Sequence, residues 1–301
     1  MAYTTIINQG LRYEIHYQIY REHLLQQESA SVMLFFHGFL GDGSDFDAVI
    51  HDLPASIACI TLDLPGHGQT QVYADDVTKI MEQIALTPAY TMPDVAQVLA
   101  QFMEQLGIKQ IILVGYSLGG RLALYFTCQF PNYVSQLILE SASPGLQSQI
   151  QLRQEKDLAL VTQLMSLSEI DLPDFIEQWY TQPLFTTLQT HSKFTALKSR
   201  RARHNPQQLA WSLRGLGVGW QPNLWHQLAR LKVSILLIVG DLDQKFRDIN
   251  QQMLAILPDA RLVYVENCGH NAHYEQPRQF AQILLTANIN QNIIQVVGDS
   301  N

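Results

Sequence analysis

Short apolar runs alternate along the chain with stretches whose apolar positions step by three and four. The runs Met33–Phe36, Ile57–Leu62, Ile111–Val114, Leu137–Glu140, Ile235–Val239 and Leu262–Val265 are rich in branched and aromatic residues and end near Gly, Asp or Asn. Unbroken runs of this kind mark strands buried on both faces, which is the habit of parallel sheets. Alternation of such runs with helical patterns predicts βαβ units and an α/β fold, a mainly parallel sheet flanked by helices. One helix is plain. Val95, Val98, Leu99, Phe102 and Leu106 share a face, Asp94 after Pro93 is placed to cap, and Gly107 can end the helix. The strand that follows, Ile111–Val114, is expected beside its predecessor through a right-handed crossover.

The rhythm breaks between about Gly145 and Trp225. The segment is rich in Gln, Arg and Ser, keeps helical spacing, shows no strand pattern, and is divided by Pro173, Pro183, Pro206 and Pro222. A helical insertion over the carboxyl edge of the sheet is the expected arrangement. The organisation is then a core over 1–144, a helical lid over 145–225, a returning core over 226–288 that closes with a helix at Pro277–Ala287, and a polar tail over 289–301.

Composition narrows the picture. With 301 residues, 47% hydrophobic and 15% charged, the chain can bury a large core and is not globally disordered. The 19 Lys and Arg against 27 Asp and Glu leave a formal charge of −8, which argues against a nucleic-acid surface. An anionic small substrate would need a local cluster of cations against that field. Cys59, Cys128 and Cys268 are scattered and form neither a disulfide framework nor a zinc ribbon. No apolar run approaches the ~20 residues of a membrane helix, and the first residues lack a signal-peptide pattern. The expectation is a cytoplasmic monomer that acts on a small molecule, with no membrane or nucleic-acid partner and no metal or other cofactor.

The strongest chemical signal is Gly115-Tyr116-Ser117-Leu118-Gly119 between an apolar strand and an apolar helix. Small residues there permit a sharp strand-to-helix turn that lifts the Ser117 hydroxyl above the sheet edge and points a helix N-terminus at it. A hydroxyl needs a base, and the base an orienting acid. His270, in the loop after the last strand, is the candidate base. Asp243 is the favoured acid, because three residues past Gly240 the loop has cleared its strand. Asp241 competes but is better placed to hold the loop, and Glu140 is a more distant alternative. The order Ser, Asp, His is that of an α/β hydrolase. His270 and His273 also form H-x-x-H, but no further ligand accompanies them, so His273 is read as packing or lining. After Met33–Phe36, the turn His37-Gly38-Phe39 can aim the Phe39 N–H at a developing oxyanion, with the Leu118 N–H as its partner. Asp63 and His67 are read as residues that order a second strand-end loop.

Together these segments resemble the α/β-hydrolase superfamily from about Met33 to Phe280. More narrowly they are similar to the family of 2-succinyl-6-hydroxy-2,4-cyclohexadiene-1-carboxylate (SHCHC) synthases of menaquinone and phylloquinone biosynthesis. That narrower match rests on Gly115–Arg121, Ser143-Pro144-Gly145-Leu146, Trp179–Phe185, Asp243-Gln244-Lys245-Phe246 and Gly269–His273 taken in order. The resemblance implies a carbon–oxygen lyase that eliminates pyruvate, with Ser117 as a general base activated by His270 and Asp243. It implies cations for a substrate with several carboxylates. Arg121 lies one turn past Ser117 beside apolar Leu122 and Ala123, and its guanidinium fork suits a carboxylate. Arg153 matches the family's first lid arginine. Lys198, Arg200, Arg201 and Arg203 form a basic run that could equally be a solvated face. Arg201 fits the family position among them. Lys245 could assist a carboxylate or pair with Asp241. Tyr116, Trp179 and Phe39 are aromatic lining candidates, Trp179 equally a packing residue of the lid. The competing readings are a serine hydrolase of the same fold and a binding protein that has lost catalysis. Three arginines around one serine disfavour the first, and an intact Ser117, Asp243 and His270 disfavour the second.

Overall fold

The computed structural model describes residues 2–27, 31–74, 78 and 83–289. The tail expected over 289–301 lies outside the described residues from position 290 onward. The strands are β1 (Ala2–Asn8), β2 (Leu11–Tyr20), β3 (Val32–Phe36), β4 (Ala58–Leu62), β5 (Gln71–Ala74), β6 (Ile111–Tyr116), β7 (Val134–Glu140), β8 (Ser234–Gly240) and β9 (Ala260–Val265). They form one sheet in the order β1-β2-β4-β3-β6-β7-β8-β9, with β5 also paired to β2. From β4 to β9 every pairing is parallel.

Three strands were not expected from the apolar runs. β1, β2 and β5 pair antiparallel at one edge. Here the residues alternate instead of running on: Leu11, Tyr13 and Ile15 are buried while Arg12 is exposed. Gln9 and Gly10, at φ 50° and 77°, make the tight turn between β1 and β2 with the backbone twist that short hairpins favour.

A second correction concerns strand order. β6 does not lie beside its predecessor in sequence; it pairs with β3, on the side of β3 opposite β4. The chain therefore builds outward first one way and then the other from β3. The loops that leave β3 and β6 consequently diverge at a crevice, the usual position of a ligand site in such sheets.

The sheet is covered on both faces because its central strands are apolar on both. In β3, Leu34 and Phe36 face one core, with Val98, Leu99 and Phe102 of the helix Met92–Gln105. Met33 and Phe35 face the other, with Ile50, Phe280 and Leu284. Each such side chain, fully buried, contributes roughly 1.5–3 kcal/mol. The helix Met92–Gln105 begins earlier than expected. Thr91, not Asp94, is its N-cap, and Asp94 completes a capping box by accepting the Thr91 N–H at 2.8 Å. Gly107 ends it at φ 66°, as its position suggests. The closing helix runs Pro277–Ile289.

Between β7 and β8 the described residues form five α-helices and no strand. The first, Ile150–Ser166, packs on the last, Pro206–Leu216. Among the described residues no helix is long and apolar enough to cross a membrane.

Candidate active site

β6 delivers Ser117 to a backbone conformation, φ 49° and ψ −106°, that a residue with a side chain rarely adopts. Strain of that kind costs about 1–3 kcal/mol and persists only where the surroundings enforce it. They do so here. The Ser117 N–H donates to Glu140 O at 2.9 Å, and the Ser117 carbonyl accepts the Arg121 N–H at 2.9 Å. The helix Leu118–Gln129 also presses on β3: a Cβ on Gly119 would stand 2.3 Å from Phe36 O. The glycine is needed for that approach, which sets Ser117 beside the loop that follows β3.

His270 reaches the same point from the loop after β9. Its Nε2 lies 3.1 Å from Ser117 Oγ and its Nδ1 2.7 Å from Asp243 Oδ2. Asp243 is held in turn, since its other oxygen caps the helix Gln244–Leu254 by accepting the Phe246 N–H at 3.3 Å. The rings of Phe246 and Tyr116, with centroids 4.5 and 5.4 Å from that of His270, fix the imidazole plane. The competing acids have other work. Asp241 accepts the Cys268 N–H at 3.3 Å and so joins the two loops. Glu140 holds His273, accepting its backbone N–H at 3.0 Å and contacting its Nδ1 at 2.7 Å, with both side chains fully buried. His273 is thus a packing residue, stacked on Phe46 at 4.4 Å.

Leu118 opens its helix, so its N–H has no acceptor within that helix. Phe39 follows Gly38, whose close approach leaves no room for a side chain: a Cβ there would meet the Tyr116 ring at 2.5 Å and Ser117 Cβ at 3.6 Å. Asp63 orders the neighbouring loop as expected, accepting the Gly43 and Gln69 N–H groups, each at 2.7 Å.

Over the serine lies a cavity of about 500 Å³, and Phe39, Tyr116, Leu118, Arg121, Arg153, Trp179, Arg201 and Lys245 line it together with Ser117, Asp243 and His270. Trp179 both lines and packs, its ring 5.0 Å from Phe39 and 6.2 Å from Phe175. The cations differ sharply. Arg121 is buried, and its acceptors among the described residues are neutral: Leu216 O at 2.7 Å and Gln221 Oε1 at 3.2 Å, both on Nη1. Burial, then the positive charge of Arg153, pull its pKa down to about 9. A guanidinium stays protonated in proteins, so this is a buried charge that Asp157 offsets in part and that bonds no carboxylate among the described residues. Arg153 donates from Nε to Asp157 Oδ1 at 2.7 Å. Burial, then Arg153, also lower the pKa of Lys245, which Asp243 partly offsets. Asp241 spends its carboxylate on the Cys268 N–H, and Lys245 lies instead over the Phe246 ring at 5.4 Å.

Arg201 faces the cavity with its charge already answered. Its Nη2 lies 2.7 Å from Asp45 Oδ2 and its Nη1 3.6 Å from Asp42 Oδ2. Burial would raise the Asp45 pKa, but Arg201 and then Arg200 bring it down to about 2. Of the other basic residues in that run, Lys198 pairs with Glu177 and Arg200 with Asp45.

A family model described as the alpha/beta hydrolase fold matches residues 31–277. The chain belongs to the α/β-hydrolase family. Within it, the chain is 31% identical over 270 residues to the SHCHC synthase of Salmonella paratyphi C, covering 88% of this chain and 98% of that one. It is 33% identical over 262 residues to a Bacillus subtilis protein ascribed the same activity, covering 85% of this chain and 89% of that one. Among solved structures, MenH from S. aureus superposes with a TM-score of 0.77 at 29% identity, covering 92% of this chain and 99% of that one. A thermophilic esterase from Thermogutta terrifontis, at 20% identity and a TM-score of 0.79, shares the fold.

In this α/β hydrolase, sequence reasoning did not single out Asp42 and Asp45. Their signal was present, two acids in the Gly-rich turn after Phe39, but their arginine partners lie about half the chain away. Nor did it weigh His204, which bonds Gly68 and Leu40.

Proposed function

We propose that the protein is a carbon–oxygen lyase that eliminates pyruvate from 2-succinyl-5-enolpyruvyl-6-hydroxy-3-cyclohexene-1-carboxylate to give SHCHC, in menaquinone or phylloquinone synthesis. The observation that carries this reading is Arg121, a buried guanidinium that among the described residues bonds only neutral acceptors and opens on the same cavity as Ser117. Arg153 and Lys245 stand beside it, suited to a substrate with several carboxylates. The likeness to SHCHC synthases over most of both chains supports the same reading.

In this mechanism the substrate's carboxylates engage Arg121 and Arg153 and set a ring C–H over Ser117. His270 Nε2 takes the Ser117 proton as the Oγ removes the ring proton, and Asp243 stabilises the imidazolium through Nδ1. The electron pair of the broken C–H bond at ring carbon 2 forms a double bond to carbon 3, and the pair of the existing 3,4 double bond shifts to carbons 4 and 5. The ring C–O bond breaks, and its electrons leave on the enolate oxygen of pyruvate. The Phe39 and Leu118 N–H groups hold the charge that develops on the conjugated carbonyl. The proton held by His270 and Ser117 then returns to the enolate carbon, giving pyruvate and restoring the triad. The helices over 145–225 act as a lid that keeps water from the site, and the protein works as a monomer.

An ester hydrolase could use the same triad, but a neutral ester would leave Arg121 without a partner. The test is release of pyruvate from the enolpyruvyl substrate, followed with a coupled dehydrogenase. The wild-type protein should turn over and Ser117→Ala should not, while both unfold at similar temperatures. Turnover by Ser117→Ala, or fast turnover of nitrophenyl esters without pyruvate release from the natural substrate, would overturn the proposal.

A further inference from the structure

Three buried histidines, His37, His67 and His204, surround the loop that carries Phe39. Two of them reveal their tautomers through backbone N–H groups. Gly68 N–H donates to His204 Nδ1 at 2.8 Å, so the proton of that ring is on Nε2, which donates to Leu40 O at 2.8 Å. Leu64 N–H donates to His37 Nε2 at 2.9 Å, so His37 carries its proton on Nδ1, which donates to Gly38 O at 2.7 Å. Burial keeps both rings neutral; for His204, burial and then the charge of Arg201 lower the pKa to about 4.

The bonds continue through the loop. Leu40 O belongs to the peptide whose N–H is that of Gly41, and that N–H donates to Gly38 O at 2.9 Å. Gly38 O belongs in turn to the peptide whose N–H is that of Phe39. The order is therefore Gly68 N–H, His204 ring, Leu40–Gly41 peptide, Gly38–Phe39 peptide. We propose that His204 is a positioning residue of the oxyanion hole, which orients and polarises the Phe39 N–H through this relay of two peptide groups, with His37 supporting its last member. The inference rests on the reading of Phe39 N–H as an oxyanion donor.

Two physical effects act along the relay. An amide that accepts a hydrogen bond at its oxygen becomes a stronger donor at its nitrogen, by roughly 10–30% per bond. Each bond also fixes the plane of its peptide, so the Phe39 N–H does not have to reorient as charge develops. The loop is held in this shape against its own preference. Leu40 sits at φ 64°, and a Cβ on Gly41 would stand 2.7 Å from His37 Nδ1 and 2.8 Å from Gly38 O. His204, which feeds the two peptides of the relay, comes from the helical insertion, just past the helix Phe194–Arg201. Through His204 that insertion contributes to the hole as well as covering it.

The test compares His204→Phe, which keeps a ring in the space but no N–H, with His204→Gln, whose amide N–H can reach Leu40 O. In the pyruvate-release assay His204→Phe should lower kcat about tenfold, a fraction of the loss from deleting a donor outright. KM should stay within about twofold, because the carboxylate grip is untouched. His204→Gln should recover most of the rate. The backbone amide resonance of Phe39 in the free protein should move in His204→Phe and return toward its wild-type position in His204→Gln. An unchanged kcat in His204→Phe, a loss that His204→Gln does not repair, or a stationary Phe39 resonance overturns the relay. Failure of the wild-type protein to release pyruvate instead sinks the proposed reaction. The Phe39 resonance then still decides the relay, and serves equally if His204→Phe folds poorly, by comparing His204→Gln with His204→Ala.

Discussion

Replacing Arg121 by Met separates binding of an anion from support of the fold. Met has similar reach and no charge. In the free protein Arg121 gives two hydrogen bonds to neutral acceptors, each worth about 1.5–3 kcal/mol net because the donor is charged, and suffers the cost of a buried charge that bonds no carboxylate among the described residues. The two terms oppose each other, so Arg121→Met should unfold within about 1 kcal/mol of the wild-type protein. With substrate bound, the desolvated guanidinium–carboxylate pair is lost. Truncation of such a pair costs about 2–5 kcal/mol, or roughly 30-fold to several thousandfold in kcat/KM. A value near 3 kcal/mol, about 150-fold, is the central expectation, since Arg121 stays bonded to Leu216 O and the substrate takes its remaining N–H groups. Arg121→Lys should fall between, because it keeps the charge but loses the fork. The assay is initial-rate pyruvate release beside chemical denaturation. A kcat/KM for Arg121→Met within threefold of wild type would refute the assignment of Arg121 to a substrate carboxylate. So would a large loss of stability that accounts for the activity change.

Three further outcomes follow from the geometry. Asp243→Asn keeps an oxygen that can cap the helix Gln244–Leu254 but no longer enforces the productive His270 tautomer; kcat should fall about 10⁴-fold, with thermal unfolding little changed. Asp45 has a folded pKa of about 2 against the ordinary aspartate value of 3.8, so its contribution to stability, about 2 kcal/mol, is complete above about pH 5 and is lost as the pH falls toward 2. Asp45→Asn should lack that part of the acid-unfolding profile and, by leaving buried Arg201 with only its longer contact to Asp42, lose up to about 3–5 kcal/mol at neutral pH; denaturant titrations across the pH range read both. Lys156 lines a second cavity, of about 420 Å³, which shares Arg153 and Lys245 with the one over Ser117. Lys156→Glu should lower kcat/KM at low salt but not at high salt, leaving kcat unchanged, as a steering charge at the mouth of the site would; a salt-independent effect would place Lys156 outside the substrate's path.

The parts of this site that were legible in the sequence are those whose cause is local. The turn at Ser117 is written into its neighbours, because Gly115 and Gly119 are the positions where a Cβ would strike backbone atoms. Asp243 could be separated from Asp241 because two residues of loop decide which carboxylate reaches across to His270. The hairpin of β1 and β2 had a readable signal too, alternation around Gln9-Gly10, but it differs in kind from the unbroken runs of the central strands and is missed when only those runs are sought. The placement of β6 against β3 is another matter, since no residue near either strand states on which side the chain resumes.

The charge state of the cations shows the same boundary. Arg121 and Arg201 look alike in sequence, and both line the cavity, yet among the described residues one bonds only neutral acceptors and the other is consumed by Asp45 at a separation of 156 residues. His204 illustrates it further, at the end of a basic run that reads as a solvated face. Its two partners, Gly68 and Leu40, lie 136 and 164 residues away, and only the fold brings them to opposite sides of one imidazole. Residue type thus marked which groups can do the chemistry, while the long-range pairings decide which of them are free to do it. In this site those pairings run largely through the helical insertion: Arg201 spends its charge on the turn after Phe39, and His204 bonds the carbonyl beyond Phe39. The element least readable as secondary structure with a purpose is the one that ties the Phe39 loop in place.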